Sequence, residues 1–443
     1  MKITLKDHFT YRRLLQFTFP SIMMMIFTSI YGIVDGFFIS NYVGSIQFAA
    51  VNLIMPMLMI FGALGTVFGS GGSALISMVR GMGKQKEANE IFSFIIYFVI
   101  IFGTALSVFG YFICEPVAKL LGATKEMLPY CVQYAQINMI GNMQFMLQYL
   151  FQSFMVTAER PKLGLGVTIA AGVTNMVLDA LFMGVFHMGV DGAAWATIIS
   201  QTVGGFVPLV YFILPQKSPY RLGKTHFNGK WLRKAATNGS SEFMSTISSS
   251  IVSILYNFQL LKFAGANGVA AYGVIMYTNF IFTGVYFGYT MGSAPVVSYH
   301  YGAGNTDELK SILKKSLTLI LIFAVTLTGL AELFAGRIAS IFVGYDAELL
   351  SLTTGAFRIY AIAFLFMGFN VYGSGFFTAL NNGKVSAFLS FFRTLVLQCI
   401  SILILPALFG INGIWLSIVF AESIAIVITF TLLRKYRNRY HYA

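Results

Sequence analysis

Residues 44–87 read GSIQFAAVNLIMPMLMIFGALGTVFGSGGSALISMVRGMGKQKE, and residues 265–308 read GANGVAAYGVIMYTNFIFTGVYFGYTMGSAPVVSYHYGAGNTDE. Laid over one another at a shift of 221, the two stretches share 12 identities in 44 positions without a gap. Biased composition alone would give roughly three or four. The shared positions include Gly44 with Gly265, Ala49 and Ala50 with Ala270 and Ala271, Met55 with Met276, Gly81 and Gly83 with Gly302 and Gly304, and Glu87 with Glu308. The register returns with Ala158 on Ala379, Gly189 on Gly410 and Gly192 on Gly413. The chain therefore holds one fold twice.

Its composition says where that fold resides. Of 443 residues, 57% are hydrophobic and only 10% are charged, with a mean hydropathy of +0.75. A soluble domain carries about 25% charged residues, so this chain cannot cover a water-facing surface of its own size. A helix needs about 20 apolar residues to cross the hydrocarbon of a bilayer. Twelve such segments can be read, at 14–40, 48–78, 91–113, 130–157, 164–187, 192–214, 240–263, 269–299, 312–335, 351–379, 385–409 and 412–433. Unbroken apolar runs argue against a β-barrel, whose strands alternate over about ten residues. The fold class is thus an all-α integral membrane protein of twelve transmembrane helices in two six-helix lobes. One long polar connector, 215–236, separates an N-terminal lobe, 1–214, from a C-terminal lobe, 237–443. An even number of spans per lobe gives both lobes the same topology, and carriers built from such parallel repeats place the substrate path between the halves.

The net charge of +13 reports orientation. If the N-terminus is cytoplasmic, that side holds 23 of the 29 Lys and Arg residues, from Lys2, Lys6, Arg12 and Arg13 through the connector to Arg434, Lys435, Arg437 and Arg439. The other face holds Lys119, Lys125, Lys262 and Arg337. The bias puts both termini inside. The basic residues form no patch interleaved with aromatics, so a nucleic-acid partner is not expected. Cys114, Cys131 and Cys399 show no metal-ligand or disulfide spacing and read as small buried hydrophobes. The N-terminus lacks a small-residue cleavage site, so no removed signal peptide is expected.

Ionisable residues inside the spans are few, and burying them unpaired is costly. Asp35 in span 1, Asp179 in span 5, Thr197 in span 6 and Asn52 in span 2 fall at similar depth in the outer half of the first lobe. Asn175 is one helical turn before Asp179 and shares its face. Carboxylate, amide and hydroxyl oxygens with no nearby Lys or Arg suit a hard monovalent cation or a proton. Each group could instead simply bond a neighbouring helix. Two carboxylates at matched depth weaken that alternative, because like charges must share a proton or a cation. At the 221 shift Asp35 falls on Tyr256, Asn175 on Val396, Asp179 on Ile400 and Thr197 on Ile418, so the scaffold does not itself require these polar groups.

Arg393 in span 11 and Glu422 in span 12 lie at matched depth on adjacent antiparallel helices and are expected to form a buried structural pair. Glu242, at the inner start of span 7, reads as a helix N-terminal acid favoured by the dipole or as a second coupling residue. Gly65 with Gly69, and Gly284, Gly288 and Gly292, set small residues four apart, which lets helices approach closely. No HExxH, GxSxG or phosphate-binding loop occurs, so an enzyme is not expected.

Taken in order, Phe19-Pro20, IYGIVDGFFIS around Asp35, Gly44 with AAVNL after it, RGMGK at 80–84 and its echo YGAGN at 301–305, TAERPK at 157–162, NMVLDALF at 175–182 and GVDGAAWAT at 189–197 resemble the multidrug and toxic compound extrusion (MATE) family over nearly the whole chain. The likeness is greatest to its bacterial branch of DNA-damage-inducible and MepA-like pumps. The resemblance implies that Asp35, Asn175, Asp179 and Thr197 match a first-lobe site for Na+ or H+. Another branch carries an acidic pair in the second lobe, of which this chain offers only Glu242. The expected protein is a monomeric, multi-pass antiporter of a bacterial cytoplasmic membrane, with no cofactor beyond its coupling ion. It would export amphipathic or cationic drugs or metabolites. A lipid-linked oligosaccharide flippase of the same superfamily is the alternative.

Overall fold

The computed structural model describes residues 3–442, so Lys2 lies outside them, and within them every regular element is a helix, with no strand. Helices α1 (Tyr11–Tyr42), α2 (Ser45–Gly81) and α3 (Gln85–Leu120) are followed by α4, made of Leu128–Ile140 and Asn142–Thr157 across a break at Gly141. Next come α5 (Pro161–Asp179, continued by the wider π-turn Ala180–Val185) and α6 (Gly189–Ile213). After a non-helical connector, α7 (229–264) and α8 (266–302) meet at Gly265. They are followed by α9 (Thr306–Val343) and α10, whose halves Ala347–Ala361 and Phe364–Ala379 bend by 47°. α11 (383–409) contains the π-turn Phe392–Leu397, and α12 (411–440) follows it at Gly410. These twelve helices of the described residues are the two six-helix lobes that the hydropathy predicts.

The repeat is written into the backbone as well as the sequence. Gly44 and Gly265 have φ of +81° and +59°, Gly83 and Gly304 have +81° and +67°, and Gly189 and Gly410 have +61° and +59°. Each pair is 221 residues apart and reverses the chain where a side chain would be strained. One turn departs from that spacing. Glu159 and Asn381 share a left-handed φ of 57° and 56°. The bonds Arg160 N to Met155 O and Asn382 N to Phe377 O also match at a shift of 222. The second half therefore gains one residue upstream of this turn, between Gly304 and Phe364, since the helices Asn142–Thr157 and Phe364–Ala379 already match at 222. Ala158 corresponds to Leu380 and not to Ala379.

Residues 3–10, the α4–α5 turn, the α8–α9 turn and the C-terminal tail gather on one face of the molecule. Leu5 and Phe9 are fully buried there in a core shared with Val296, Leu309 and Tyr442. Leu5 N donates to Glu159 in the first lobe at 3.1 Å, and Phe9 N donates to Glu308 in the second at 2.8 Å. Beside them Arg80 pairs with Glu159 at 2.9 Å and lies 5.8 Å from the ring centroids of both Tyr220 and Tyr299.

Across this half of the helices the lobes touch backbone to backbone. A Cβ added at Gly81 would sit 2.0 Å from Tyr299 O, and one at Gly302 would sit 2.0 Å from Met78 O. Gly288 meets Ile22 in the same way and Gly292 meets Thr18, so the α8 glycine stripe is the contact with α1 in the other lobe. Gly65 and Gly69 serve within the first lobe, against Met146 and Tyr149 of α4. Further from the termini, Ser29 Oγ donates to Phe280 O at 3.0 Å. Beyond that point Gly32 and Gly36 on α1 and Gly273 on α8 face open space. The lobes are closed at the terminal face and part toward the opposite one.

Candidate cation site

Within the first lobe, α1, α2, α4, α5 and α6 enclose a cavity of about 180 Å³ in the half away from the termini. Asp35 enters it from α1, Asn175 from α5 and Thr197 from α6, with Tyr134, Asn138 and Asn142 from α4. Asp179, fully buried, stands one turn beyond Asn175, and its carboxyl group is within hydrogen-bonding reach of that of Asp35. Two carboxylates cannot donate to one another. Asp35 Oδ1 and both Asp179 oxygens accordingly have no protein donor, and neither do Asn142 Oδ1 and the hydroxyl of Thr28 on the cavity wall. Unsatisfied buried oxygens are costly, and no Lys or Arg lines the cavity to balance them. A shared proton would supply one donor; a hard cation would take several oxygens at once.

Local structure places these groups. Asp179 is the last residue of regular α5, directly before the π-turn Ala180–Val185, a winding that recurs at functional positions of helices. Asn138 donates one turn back to Tyr134 O at 2.9 Å, which leaves its own oxygen toward the cavity wall. Asn138 and Asn142, i and i+4 on a membrane helix, are site residues that sequence reasoning missed. The rule that paired Asn175 with Asp179 would have found them.

Asn52 is not brought to this cluster. Depth alone suggested it, but its side chain is exposed and donates to Phe48 O at 2.9 Å on its own helix. Glu242 is not a helix N-terminal acid, because α7 begins at Gly229, more than three turns earlier. It is half-buried in the helix interior, within electrostatic reach of Arg393. Arg393 Nη1 donates to Glu422 Oε1 at 3.1 Å, Asn370 Nδ2 donates to Glu422 Oε2 at 2.7 Å, and Thr429 Oγ1 donates to Asn370 Oδ1 at 2.9 Å. The Glu422 side chain is 1% exposed and that of Arg393 is 11% exposed.

The family model described as MatE matches residues 20–181 and again residues 243–404. Multidrug export protein MepA of Staphylococcus haemolyticus is 22% identical over 435 residues, covering 97% of this chain and 94% of the relative. MepA of Staphylococcus saprophyticus is 24% identical with the same coverage. Among solved structures, an outward-facing multidrug resistance MATE transporter of the MOP superfamily superposes with a TM-score of 0.93 at 20% identity, covering 98% of each chain. A MOP superfamily transporter from Pyrococcus furiosus gives 0.90 at 20% identity, covering 98% of this chain and 97% of that one. At such identities the structural likeness speaks for the fold.

Proposed function

The chain belongs to the MatE family of membrane transporters, and from that premise we propose that it is a secondary active antiporter, exporting amphipathic or cationic drugs or metabolites in exchange for Na+ or H+. The observation that carries this reading is the Asp35–Asp179 pair, one half-buried and one fully buried carboxyl group with undonated oxygens at a cavity free of basic residues. Such a site has a strong preference for acquiring one positive charge and a weak means of keeping it once the cavity opens to a cation-poor side.

The basic residues favour termini in the cytoplasm of a bacterial cell. With that orientation the lobes are closed inside and parted outside, so the cavity faces the outer solution. In this mechanism the incoming cation bridges Asp35 and Asp179, with Asn175 and Thr197 supplying neutral oxygens. Its charge draws α1 toward α5. That repacking weakens the drug site between the lobes and favours return to the inward-open state, as linkage between two ligands requires. Drug binding inside must in turn loosen the cation.

A flippase for lipid-linked oligosaccharides would need cationic side chains for its phosphates, and the first-lobe cavity has none. The test is transport by the full chain in sealed vesicles, with the Na+ and pH gradients varied separately. Export that follows one gradient and is lost in Asp35→Asn supports the antiport reading; export indifferent to both gradients overturns it.

A further inference from the structure

At the terminal face α7 lies between α2 of the first lobe and the α10–α11 turn of the second. Toward α2 the contact is backbone on backbone: a Cβ on Gly71 would sit 2.0 Å from Ala235 O, and one on Gly239 would sit 1.9 Å from Val67 O. Toward the α10–α11 turn it is equally close, since a Cβ on Gly383 would sit 2.0 Å from Thr237 O. Glycines on both sides of α7 thus bring that turn within one side-chain length of α2. Asn381 makes the crossing, and its Nδ2 donates to Ala74 O on α2 at 3.1 Å.

Asn381 is buried and occupies the left-handed position of its turn, which asparagine enters more readily than most residues. Its remaining groups are engaged within its own lobe. Oδ1 accepts from Asn238 Nδ2 on α7 at 2.5 Å, and the main-chain oxygen accepts from Lys234 Nζ, also on α7, at 2.7 Å. Asn238 is fully buried, and its carbonyl accepts from Thr378 Oγ1 at 3.3 Å. The amide is therefore oriented before it meets Ala74, and little further rotamer freedom is lost in forming that bond. Parting the lobes breaks the bond to Ala74 O and leaves the rest of the network whole. By contrast, the Ser29 bond to Phe280 O, which also joins helices of the two lobes, is exposed at the edge of the opening.

We propose that Asn381 is a latch of the second lobe that holds the terminal face shut, and that its release from Ala74 accompanies each passage to the state open at that face. This rests on the alternation of the lobes in the antiport reading and on neither choice of coupling ion. Asn381 lies outside the cation cavity and acts on the balance between the two states. Losing one neutral hydrogen bond from one state of such an equilibrium shifts it about three- to tenfold.

The experiment reads the distance between spin labels at Lys84 and Lys310 in the purified full-length protein in lipid nanodiscs, with Na+ and pH varied until the wild type shows both a short and a long distance. Asn381→Gly keeps the left-handed turn and removes the amide, and is expected to raise the long-to-short ratio by that factor. Thr378→Val removes a bond of the same cluster that stays within the second lobe, and is expected to leave the ratio unchanged. A wild type with a single distance under every condition overturns the alternation and this inference with it. Two distances whose ratio Asn381→Gly leaves unchanged overturn this inference alone. An equal shift in both variants does the same, because it marks a loosened turn and not a latch. Should Asn381→Gly not fold, Asn381→Asp at pH 8 decides by the same ratio: it keeps the shape and removes the donor, so a raised ratio supports the latch and an unchanged one overturns it.

Discussion

Gly288 and Ile22 cross so closely that a Cβ on Gly288 would lie 2.5 Å from the Ile22 Cα and 2.7 Å from the Ser21 carbonyl oxygen. Backbone atoms cannot swing aside as a side-chain tip can. Gly288→Ala should therefore push α8 off α1 and separate the lobes at the terminal face. Spin labels at the exposed positions Lys84 and Lys310 would report a longer or broader distance distribution. Gly273→Ala, where an added Cβ meets open space, should leave that distance unchanged.

Asp35→Asn and Asp179→Asn keep shape and remove charge. Each should abolish cation-driven export in vesicles while the protein still expresses and elutes as the wild type does. Undiminished export by either variant would remove that residue from the coupling site.

Arg80→Ala would remove one partner of the Glu159 carboxylate, which is 3% exposed and keeps its bond from Leu5 N, and weakening a buried ion pair from one side is destabilising. The loss would appear as a lower melting temperature in detergent. Arg80→Met/Glu159→Gln should recover most of it, since it removes both charges together.

Asn52→Ala tests whether depth in the membrane is sufficient for membership of the site. The side chain is turned away from the cavity and bonds only its own helix. Export and its ion dependence should stay within about twofold of wild type, well under the tenfold that 1.4 kcal/mol would bring. A Na+- or pH-dependent defect would put Asn52 back among the coupling residues.

The spans, the repeat and the pairing of lobes are legible in the sequence because hydrocarbon imposes one long apolar run per crossing, and because Gly44, Gly83 and Gly189 recur at one spacing. The approach of Arg393 to Glu422 is legible for a related reason: opposite charges at equal depth on neighbouring helices have few other ways to be satisfied. Rotation about the helix axis is less accessible. Depth and periodicity say that Asn175 and Asp179 share a face and that Asn52 lies level with them, but not which way Asn52 turns. Glu242 was misplaced because hydropathy finds where a helix enters the hydrocarbon, and α7 is wound for more than three turns before that. The one-residue slip of register at the α4–α5 turn is hidden in the sequence because Ala158 and Ala379 coincide while the turn geometry pairs Glu159 with Asn381.

The three glycine pairs with positive φ bear on how the two halves have been free to diverge. A left-handed backbone is a matter of chirality, and no L side chain substitutes there without strain. Handedness therefore polices the chain reversals in both halves, whatever happens to the surfaces between them. Under that restraint an aspartate can face a tyrosine across the repeat without either half losing its course. The symmetry of the scaffold is kept by stereochemistry, which leaves the electrostatics of each lobe open to specialise.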